Sequence, residues 1–292
     1  MALTEQTIKA LKAEGFLHNR GTENFSARII TGNGTLQAEM LTQLSHLSKT
    51  YGDGMVSLTG RLTVEIPGIP YSRIPAFREE VASLSLTTGG TGAKVRPVVA
   101  CKGSTCIYGL VDTQSLAQRI HTAFYEGWHE VSFPHKFKIA VGGCPNSCVK
   151  PELNDLGIVG QKMMYLAPEC KACGGCISEK RCPMGAIKQR EDGKRYIDRS
   201  LCNNCSRCLD TCPFGKINAD EPRYKIYLGG RWGKQKRYGT PLPLLYSEEQ
   251  LFPLITRILN LYKEEGRPGE RFASVVERLG MDHIAKVLHE TV

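Results

Sequence analysis

The chain contains no run of hydrophobic residues long enough to cross a bilayer, which takes about 20 of them. Its opening residues lack the basic segment and apolar core of a secretory signal, so we expect a protein of the reducing cytoplasm with no membrane span. It also lacks a convincing Gly-x-Gly-x-x-Gly fingerprint, which argues against direct binding of a nicotinamide dinucleotide. Any such reductant would have to act through another protein.

The chain is basic, with a net charge of +9 at pH 7. A basic surface often binds nucleic acid, but no nucleic-acid motif accompanies the charge, and we expect no nucleic acid partner. The basic residues gather instead around the cysteine-rich segments and in Arg231–Arg237. This placement indicates a polyanionic cofactor and an anionic substrate. A solvated basic face is the alternative for individual lysines.

All twelve cysteines fall into three groups of four. One run contains Cys170, Cys173, Cys176 and Cys182, and a second contains Cys202, Cys205, Cys208 and Cys212; each run is followed by proline. The remaining four form the upstream quartet, which consists of Cys101, Cys106, Cys144 and Cys148. A 4Fe–4S cluster takes four thiolates, so the grouping predicts three such clusters and a protein that moves electrons.

Two other uses of cysteine fit this pattern less well. A disulfide framework is typical of a short secreted chain, whereas this one has 292 residues. Tetrahedral zinc also accepts four cysteines, but zinc ribbons pair two Cys-x2-Cys knuckles across a longer gap. Cysteines at i, i+3 and i+6, with a fourth before proline, follow the bacterial ferredoxin pattern instead.

In two-cluster ferredoxins the fourth cysteine of each run ligates the other cluster. We therefore predict two crossed ligand sets, one of Cys170, Cys173, Cys176 and Cys212, the other of Cys202, Cys205, Cys208 and Cys182. The first run has five residues before its last cysteine instead of three, which indicates a longer loop. Gly174 and Gly175 would let the backbone curl close to the cluster.

The change in residue pattern along the chain predicts an α+β protein with an inserted domain. Residues 1–80 form an N-terminal α/β unit, residues 81–165 and 219–292 form one interrupted domain, and residues 166–218 form the inserted ferredoxin. Periodicity predicts a strand over Met55–Ile66, a helix over residues 69–86, and helices over Glu248–Glu264 and Arg271–Thr291, the latter interrupted at Met281 and Asp282.

Two segments carry a resemblance to a known family. The residues Val95-Arg-Pro-Val-Val-Ala-Cys-Lys-Gly-Ser-Thr-Cys106 and Gly143-Cys-Pro-Asn-Ser-Cys148 closely resemble the sirohaem and 4Fe–4S region of sulfite and nitrite reductases. Tyr227–Lys234 resembles a downstream segment of that family. The resemblance implies a sulfite/nitrite reductase-like sirohaem fold with a ferredoxin inserted after the quartet. It also implies that Cys148 bridges the cluster to the sirohaem iron. The first pair has four intervening residues, whereas five are commoner in the family.

The resemblance further implies that four cations hold the anionic substrate. Lys136 and Lys138 match the lysine pair of the family, and Arg61 and Arg28 match its two arginines. An exposed strand residue is the alternative for Arg28. Lysine is able to donate protons to departing oxygens, while arginine stays charged and clamps them. His135 is also able to donate protons at neutral pH, with a structural role as the alternative.

Sirohaem carries eight carboxylates, which require cationic or polar partners. The candidates are Arg96, Lys102, Asn146, Arg231 and Lys234, with a solvated surface role as the alternative for each.

These assignments imply the six-electron reduction of sulfite to sulfide, with electrons entering through the inserted ferredoxin. The external donor would be a ferredoxin or a flavin or iron–sulfur subunit. Because longer relatives contain two copies of the core, we expect a homodimer whose cations face the sirohaem held through Cys148 of the partner subunit. A nitrite reductase on the same scaffold and a non-catalytic electron-transfer subunit are the alternatives.

Overall fold

The computed structural model describes residues 3–289 and begins with a four-stranded antiparallel sheet. Its elements are, in chain order, α1 (Glu5–Ala13), β1 (Phe16–His18), β2 (Asn24–Ile29), α2 (Ala38–Tyr51), β3 (Ser57–Leu58), β4 (Val64–Pro70) and α3 (Ile74–Ser83). The strand order is β1-β2-β4-β3. Buried aromatic and aliphatic side chains between sheet and helices, among them Phe16, Phe25 and Phe77, form a core of their own.

The predicted single strand over Met55–Ile66 is instead a hairpin of two strands, β3 and β4. A turn separates β3 from β4, because Leu62 adopts a left-handed φ of 60° and its N–H donates to the Thr59 carbonyl at 3.0 Å. The predicted helix over residues 69–86 is too long at both ends. β4 continues to Pro70, a 3₁₀ turn follows, and α3 ends before Ser85, whose φ is 56°. The turn between β3 and β4 carries Arg61.

The second domain is built on parallel strands. These are β5 (Val99–Ala100), β6 (Ile139–Gly142) and β7 (Leu156–Gln161), with α4 (Thr113–Ile120) between the first two. Asp112 caps α4 by accepting the Ser115 N–H at 3.1 Å, and a π-helical segment, His121–Glu126, extends it. Every residue of β6 and β7 is buried, as expected for strands covered on both faces.

The inserted segment is small and holds little secondary structure. Its elements are β8 (Met164–Leu166), α5 (Ile177–Arg181), β9 (Ile187–Gln189), β10 (Arg195–Ile197) and β11 (Ile217–Ala219). β8 pairs antiparallel with β11 and so brings the two ends of the segment together. Its apolar core is only a few residues, with Cys208 buried among them. A segment with so small a core needs additional cross-links, which bound clusters would supply.

The chain then returns to the central sheet. β12 (Arg223–Leu228) pairs antiparallel with β7, and β13 (Thr240–Tyr246) completes the strand order β13-β12-β7-β6-β5. Helices α6 (Glu248–Glu265), α7 (Phe272–Leu279) and α8 (Met281–His289) pack on this sheet. The helix break lies at Gly280, where φ is 79°, rather than at Met281 and Asp282. Residues 290–291 of the predicted helix lie outside the described residues.

No helix within residues 3–289 combines the length and the hydrophobicity needed to span a membrane.

Candidate active site and iron–sulfur ligands

Arg61 links the two large sheets. From the β3–β4 turn, its guanidinium donates to the Asn154 side-chain oxygen at 2.9 Å and to the Pro97 carbonyl at 2.8 Å. Pro97 lies just before β5 and Asn154 just before β7, so Arg61 sits at the amino ends of the central strands. Burial lowers the pKa of Arg61 to about 10, and its Nε is buried without a partner. The guanidinium is thus a fixed positive charge in a site with little water.

Lys136 and Lys138 lie at the same end of the sheet, immediately before β6. Their Nζ atoms form no hydrogen bond or ion pair within the described part of the chain. Burial lowers the pKa of Lys138 to about 8, with Arg61 adding repulsion, and burial and Arg271 lower the pKa of Lys136. Two crowded ammonium groups without partners favour an incoming anion, and the lowered pKa of each makes it a better proton donor than a free lysine.

Arg28 and Arg96 meet at one carbonyl group. The Arg28 Nη1 donates to the Gly90 carbonyl at 3.1 Å, and Arg96 donates to the same oxygen. Arg28 also pairs with Glu65 at 2.6 Å, its direct neighbour in the β2–β4 register. Arg28 is therefore half-buried and held in place rather than an exposed strand residue. Burial and Arg28 lower the pKa of Arg96 to about 10.

A buried carboxylate, Asp155, lies at the centre of these cations and was not among the predicted residues. It has no exposed surface, accepts the Lys138 backbone N–H at 2.9 Å, and pairs with Arg271 at 3.1 Å. Burial raises the pKa of Asp155, and Arg271 opposes that rise. The Arg271 Nε is buried without a partner. No sequence motif marks either residue. Asp155 lies at the end of a loop, and Arg271 lies 116 positions later, just before α7.

His135 is the predicted proton donor whose contacts suit that role least. Its Nδ1 accepts the backbone N–H of Lys136 at 2.7 Å. Burial and the neighbouring Lys136 charge lower its pKa, so the ring is neutral at pH 7. This local contact fits the structural role that is the alternative for His135.

The upstream quartet lies at the opposite end of the sheet. Cys101 directly follows β5, and Cys144 follows β6 after Gly143, whose N–H donates to the Cys101 sulfur at 3.2 Å. Burial raises the pKa of Cys144, and the other three sulfurs raise it further. The four thiols therefore face one another, and Cys148 is the exposed member. A side chain on Gly143 would have its Cβ 2.9 Å from the Gly103 Cα, so only glycine fits between these loops.

The candidate partners of the sirohaem carboxylates lie in different places. Lys102 and Asn146 are exposed beside Cys101 and Cys144. Arg231 and Lys234 occupy the hairpin between β12 and β13, where Arg231 donates to the Ser274 hydroxyl at 3.2 Å and Lys234 is exposed. Arg96 lies instead at the other end of the central sheet, with Arg61 and the two lysines. The same hairpin carries Trp232, whose ring lies 5.9 Å from the Lys150 Nζ.

The inserted segment brings together one of the crossed ligand sets. Cys182, Cys202, Cys205 and Cys208 line a single small pocket. Burial and the three other sulfurs raise the pKa of Cys208 to about 11. This set comprises three cysteines of the second run and the last cysteine of the first, as in the crossed arrangement. We call it the inner set.

The other crossed set lies at the far end of the β8–β11 pair. Cys170 follows β8 and Cys212 precedes β11, and the Ala167 N–H donates to the Lys216 carbonyl at 2.9 Å between them. The Arg195 backbone N–H donates to the Cys170 sulfur at 3.5 Å, and its guanidinium donates to the Cys173 carbonyl at 3.2 Å. We call Cys170, Cys173, Cys176 and Cys212 the outer set.

All twelve cysteines are free thiols, which suits metal ligands and not a disulfide framework. Within residues 3–289, no three cysteine, histidine or acidic side chains approach closely enough to surround a single metal ion. The donor atoms fit iron–sulfur clusters.

Two family models match the chain. One, described as the nitrite and sulphite reductase 4Fe-4S domain, covers residues 91–292. The other, the nitrite/sulfite reductase ferredoxin-like half domain, covers residues 18–84. The chain belongs to the nitrite and sulfite reductase family. It is therefore an oxidoreductase of this kind, and its family supports binding of iron–sulfur and sirohaem groups.

Similar proteins agree with this membership. An uncharacterized protein of Methanocaldococcus jannaschii is 31% identical over 92% of each chain. One component of the anaerobic sulfite reductase of Salmonella typhimurium is 31% identical over 84% of this chain and 75% of that component. The crystal structure of dissimilatory sulfite reductase I superposes with a TM-score of 0.73 at 22% identity, over 92% of this chain and 70% of the other. The α+β sirohaem fold is thereby confirmed.

Proposed function

We propose that the protein reduces sulfite to sulfide with six electrons. The observation that carries the proposal is the pair of Nζ atoms on Lys136 and Lys138, which have no hydrogen bond or ion pair in the described chain and lie among Arg61, Arg96 and Arg271. A pocket of this kind attracts a small oxyanion and stabilises negative charge arriving on it. The sulfite reductases among the similar proteins support sulfite as that anion.

The roles of the residues follow from their surroundings. Arg61 and Arg96 are held by carbonyl and amide oxygens and keep their charge, so they would fix the position of the anion. Lys138 has a pKa of about 8 and would supply protons to the oxygens that leave as water. Asp155 would hold the Lys138 backbone in place, since it accepts that N–H at 2.9 Å.

The cofactor count of the proposal is one sirohaem and three 4Fe–4S clusters. The upstream quartet, the inner set and the outer set would each hold a cluster, and Cys148 would bridge to sirohaem. When bound, these groups would relay electrons from the external donor and supply the iron at which sulfite is reduced. Lys102, Asn146, Arg231 and Lys234 would neutralise or hydrogen-bond the sirohaem carboxylates.

Electrons would enter through the inserted ferredoxin, and two contacts support this route. The Asn204 amide donates to the Gln161 side chain, at the end of β7, at 3.1 Å. The Arg207 guanidinium lies 4.3 Å from the centre of the Tyr108 ring. Arg207 is next to Cys208 of the inner set, and Tyr108 is two residues from Cys106 of the quartet. The inner set is therefore docked beside the quartet.

A homodimer with composite sites is the third element of the proposal. Lys138 and Cys144 are six positions apart on either side of β6, which corresponds to about 20 Å along an extended strand. A sirohaem held through Cys148 would therefore lie at the end of the sheet away from the cations of its own chain. Cations from one protomer facing the sirohaem of its partner would complete the site.

The direct test is anaerobic turnover with reduced methyl viologen, comparing sulfite with nitrite. We expect sulfide from sulfite, and turnover lower by about 10²–10⁴-fold in a Lys136→Ala/Lys138→Ala variant. The control replaces two exposed lysines, Lys9 and Lys49, and should retain full turnover. Faster turnover of nitrite would favour a nitrite reductase. Unchanged turnover in the lysine variant would overturn the assigned roles.

A further inference from the structure

The two ligand sets of the inserted ferredoxin differ in their access to other proteins. The inner set faces the rest of the chain, because the Lys162 N–H donates to the Asn204 carbonyl at 3.0 Å and Arg207 covers Tyr108. The outer set lies at the far end of the β8–β11 pair, away from these contacts. An external electron carrier must therefore approach the outer set.

A groove opens directly beside the outer set. It has a volume of about 380 Å³ and is bordered by Cys170, Tyr165, Tyr196 and the basic residues Arg190, Lys194, Arg195 and Arg199. No carboxylate from residues 3–289 borders it. Arg195 is buried and paired with Glu179 at 2.6 Å. The other three cations have no carboxylate partner in the described chain.

The other contacts of these cations leave their charge uncompensated. Arg190 lies 5.6 Å from the centre of the Tyr196 ring, and the Lys194 Nζ donates to the Pro168 carbonyl at 3.3 Å. Three carboxylates lie nearby in the sequence without pairing with these cations: Glu169 faces Lys216 at 3.8 Å, Asp192 accepts the Lys194 backbone N–H, and Asp198 accepts from Ser200. Glu191 is exposed at the hairpin tip. Positive charge therefore dominates the groove itself.

We propose that this groove is the docking site of an acidic protein electron carrier, with Arg190, Lys194 and Arg199 as its contact residues. The inference rests on the proposed function and specifies where electrons enter. A one-electron carrier with a negative surface fits, because long-range attraction steers it to the groove and places its redox group beside Cys170. In each encounter the carrier loses one electron and the outer set's cluster gains one.

Binding and electron delivery test this proposal separately. The probe is a purified acidic two-cluster bacterial ferredoxin, added anaerobically to the holoprotein in a calorimeter at about 50 mM and about 500 mM salt. The test variant is Arg190→Gln/Lys194→Gln/Arg199→Gln, and the matched control is Lys9→Gln/Lys49→Gln/Lys263→Gln. Both remove three exposed or half-exposed charges from a chain of net charge +9.

We expect the groove variant to bind ferredoxin at least about tenfold more weakly at low salt, while the control binds as the parent does. Reduction of the groove variant by methyl viologen and its iron content should stay unchanged, which shows that its clusters are intact. Equal weakening in both variants, or no binding by the parent at low salt, would overturn the docking site. If methyl viologen drives no sulfite reduction in the parent, the proposed function fails while the binding result still decides the groove.

Discussion

At the scale of single residues, the site is defined by charges that the fold forces together. Arg61, Arg96 and Arg271 each bury an Nε without a partner, and Asp155 is the one buried carboxylate among them in the described chain. Burial lowers the pKa of the neighbouring lysines, and repulsion between the cations lowers it further. The lysine pair was identifiable as a candidate from its motif. Asp155 and Arg271 were not, because only the folded sheet brings them together.

The lowered pKa of Lys138 predicts the pH dependence of turnover. A lysine that donates protons must be charged, and with a pKa of about 8 it loses its proton as the pH rises through that value. We expect kcat/KM for sulfite to fall above about pH 8. In Lys138→Arg the guanidinium stays charged, so this fall should move to beyond about pH 10 even though turnover is lower. An unchanged alkaline limb in that variant would remove Lys138 from the proton-donating role.

Arg271 is expected to be a main determinant of stability near the site. Arg271→Met would leave Asp155 as a buried, unpaired charge, at a cost of about 3–5 kcal/mol of unfolding free energy. Adding Asp155→Asn should recover most of that loss. The exposed pair Arg78–Glu14 provides the control, since Arg78→Met should change the unfolding free energy little. Urea unfolding of the four proteins measures these differences. Equal losses at both arginines would contradict the assignment.

At the scale of elements, the central strand β7 was the main omission of the sequence-based prediction. It contains two glycines, which weaken the pattern of a strand, and all six of its residues are buried, so no alternation marks it. The glycines have a steric reason. A Cβ on Gly157 would lie 2.5 Å from the Pro151 carbonyl oxygen, and one on Gly160 would lie 2.8 Å from that of Gly143. A strand was predictable at β2, where Phe25, Ala27 and Ile29 alternate with polar residues along the sequence.

Gly157→Ala tests the close packing of β7 against the loop that follows the quartet. We expect it to cost about 1–3 kcal/mol, because the obstructing atoms are backbone and cannot rotate away. Gly60→Ala is the matched control, since nothing lies within 4 Å of its added carbon. Thermal unfolding should show a midpoint lower by about 3–10 °C for the first and nearly unchanged for the second. Equal midpoints would show that the loop moves freely.

At the scale of the whole molecule, cysteine spacing predicted more than hydrophobic periodicity did. Ligand sets follow from a few fixed intervals along the chain, and the folded inserted segment brings Cys182 to the second run, as in the crossed arrangement. The placement of cations and quartet at opposite ends of the sheet depends on the direction of β5, β6 and β7. That direction is a property of strand pairing, which no local pattern encodes.

The composite dimer predicts complementation between two inactive variants. Lys136→Ala/Lys138→Ala removes the cations, and Cys148→Ala removes the bridge to sirohaem. When the two are unfolded and reassembled together, or co-expressed, half of the dimers are mixed and each mixed dimer has one intact site. We expect about a quarter of the parent turnover. Each variant alone should be inactive, and absence of recovery in mixed dimers would place cations and bridge in the same chain.

The visible absorption spectrum of the anaerobically purified, reduced protein tests the central claim most directly, recorded before and after sulfite is added. The account predicts a sirohaem band that shifts with sulfite, on top of iron–sulfur absorption. It also predicts a weaker shift in the variant lacking Lys136 and Lys138. Iron–sulfur absorption without a sirohaem band, in protein from cells that make sirohaem, would contradict it and indicate an electron-transfer protein.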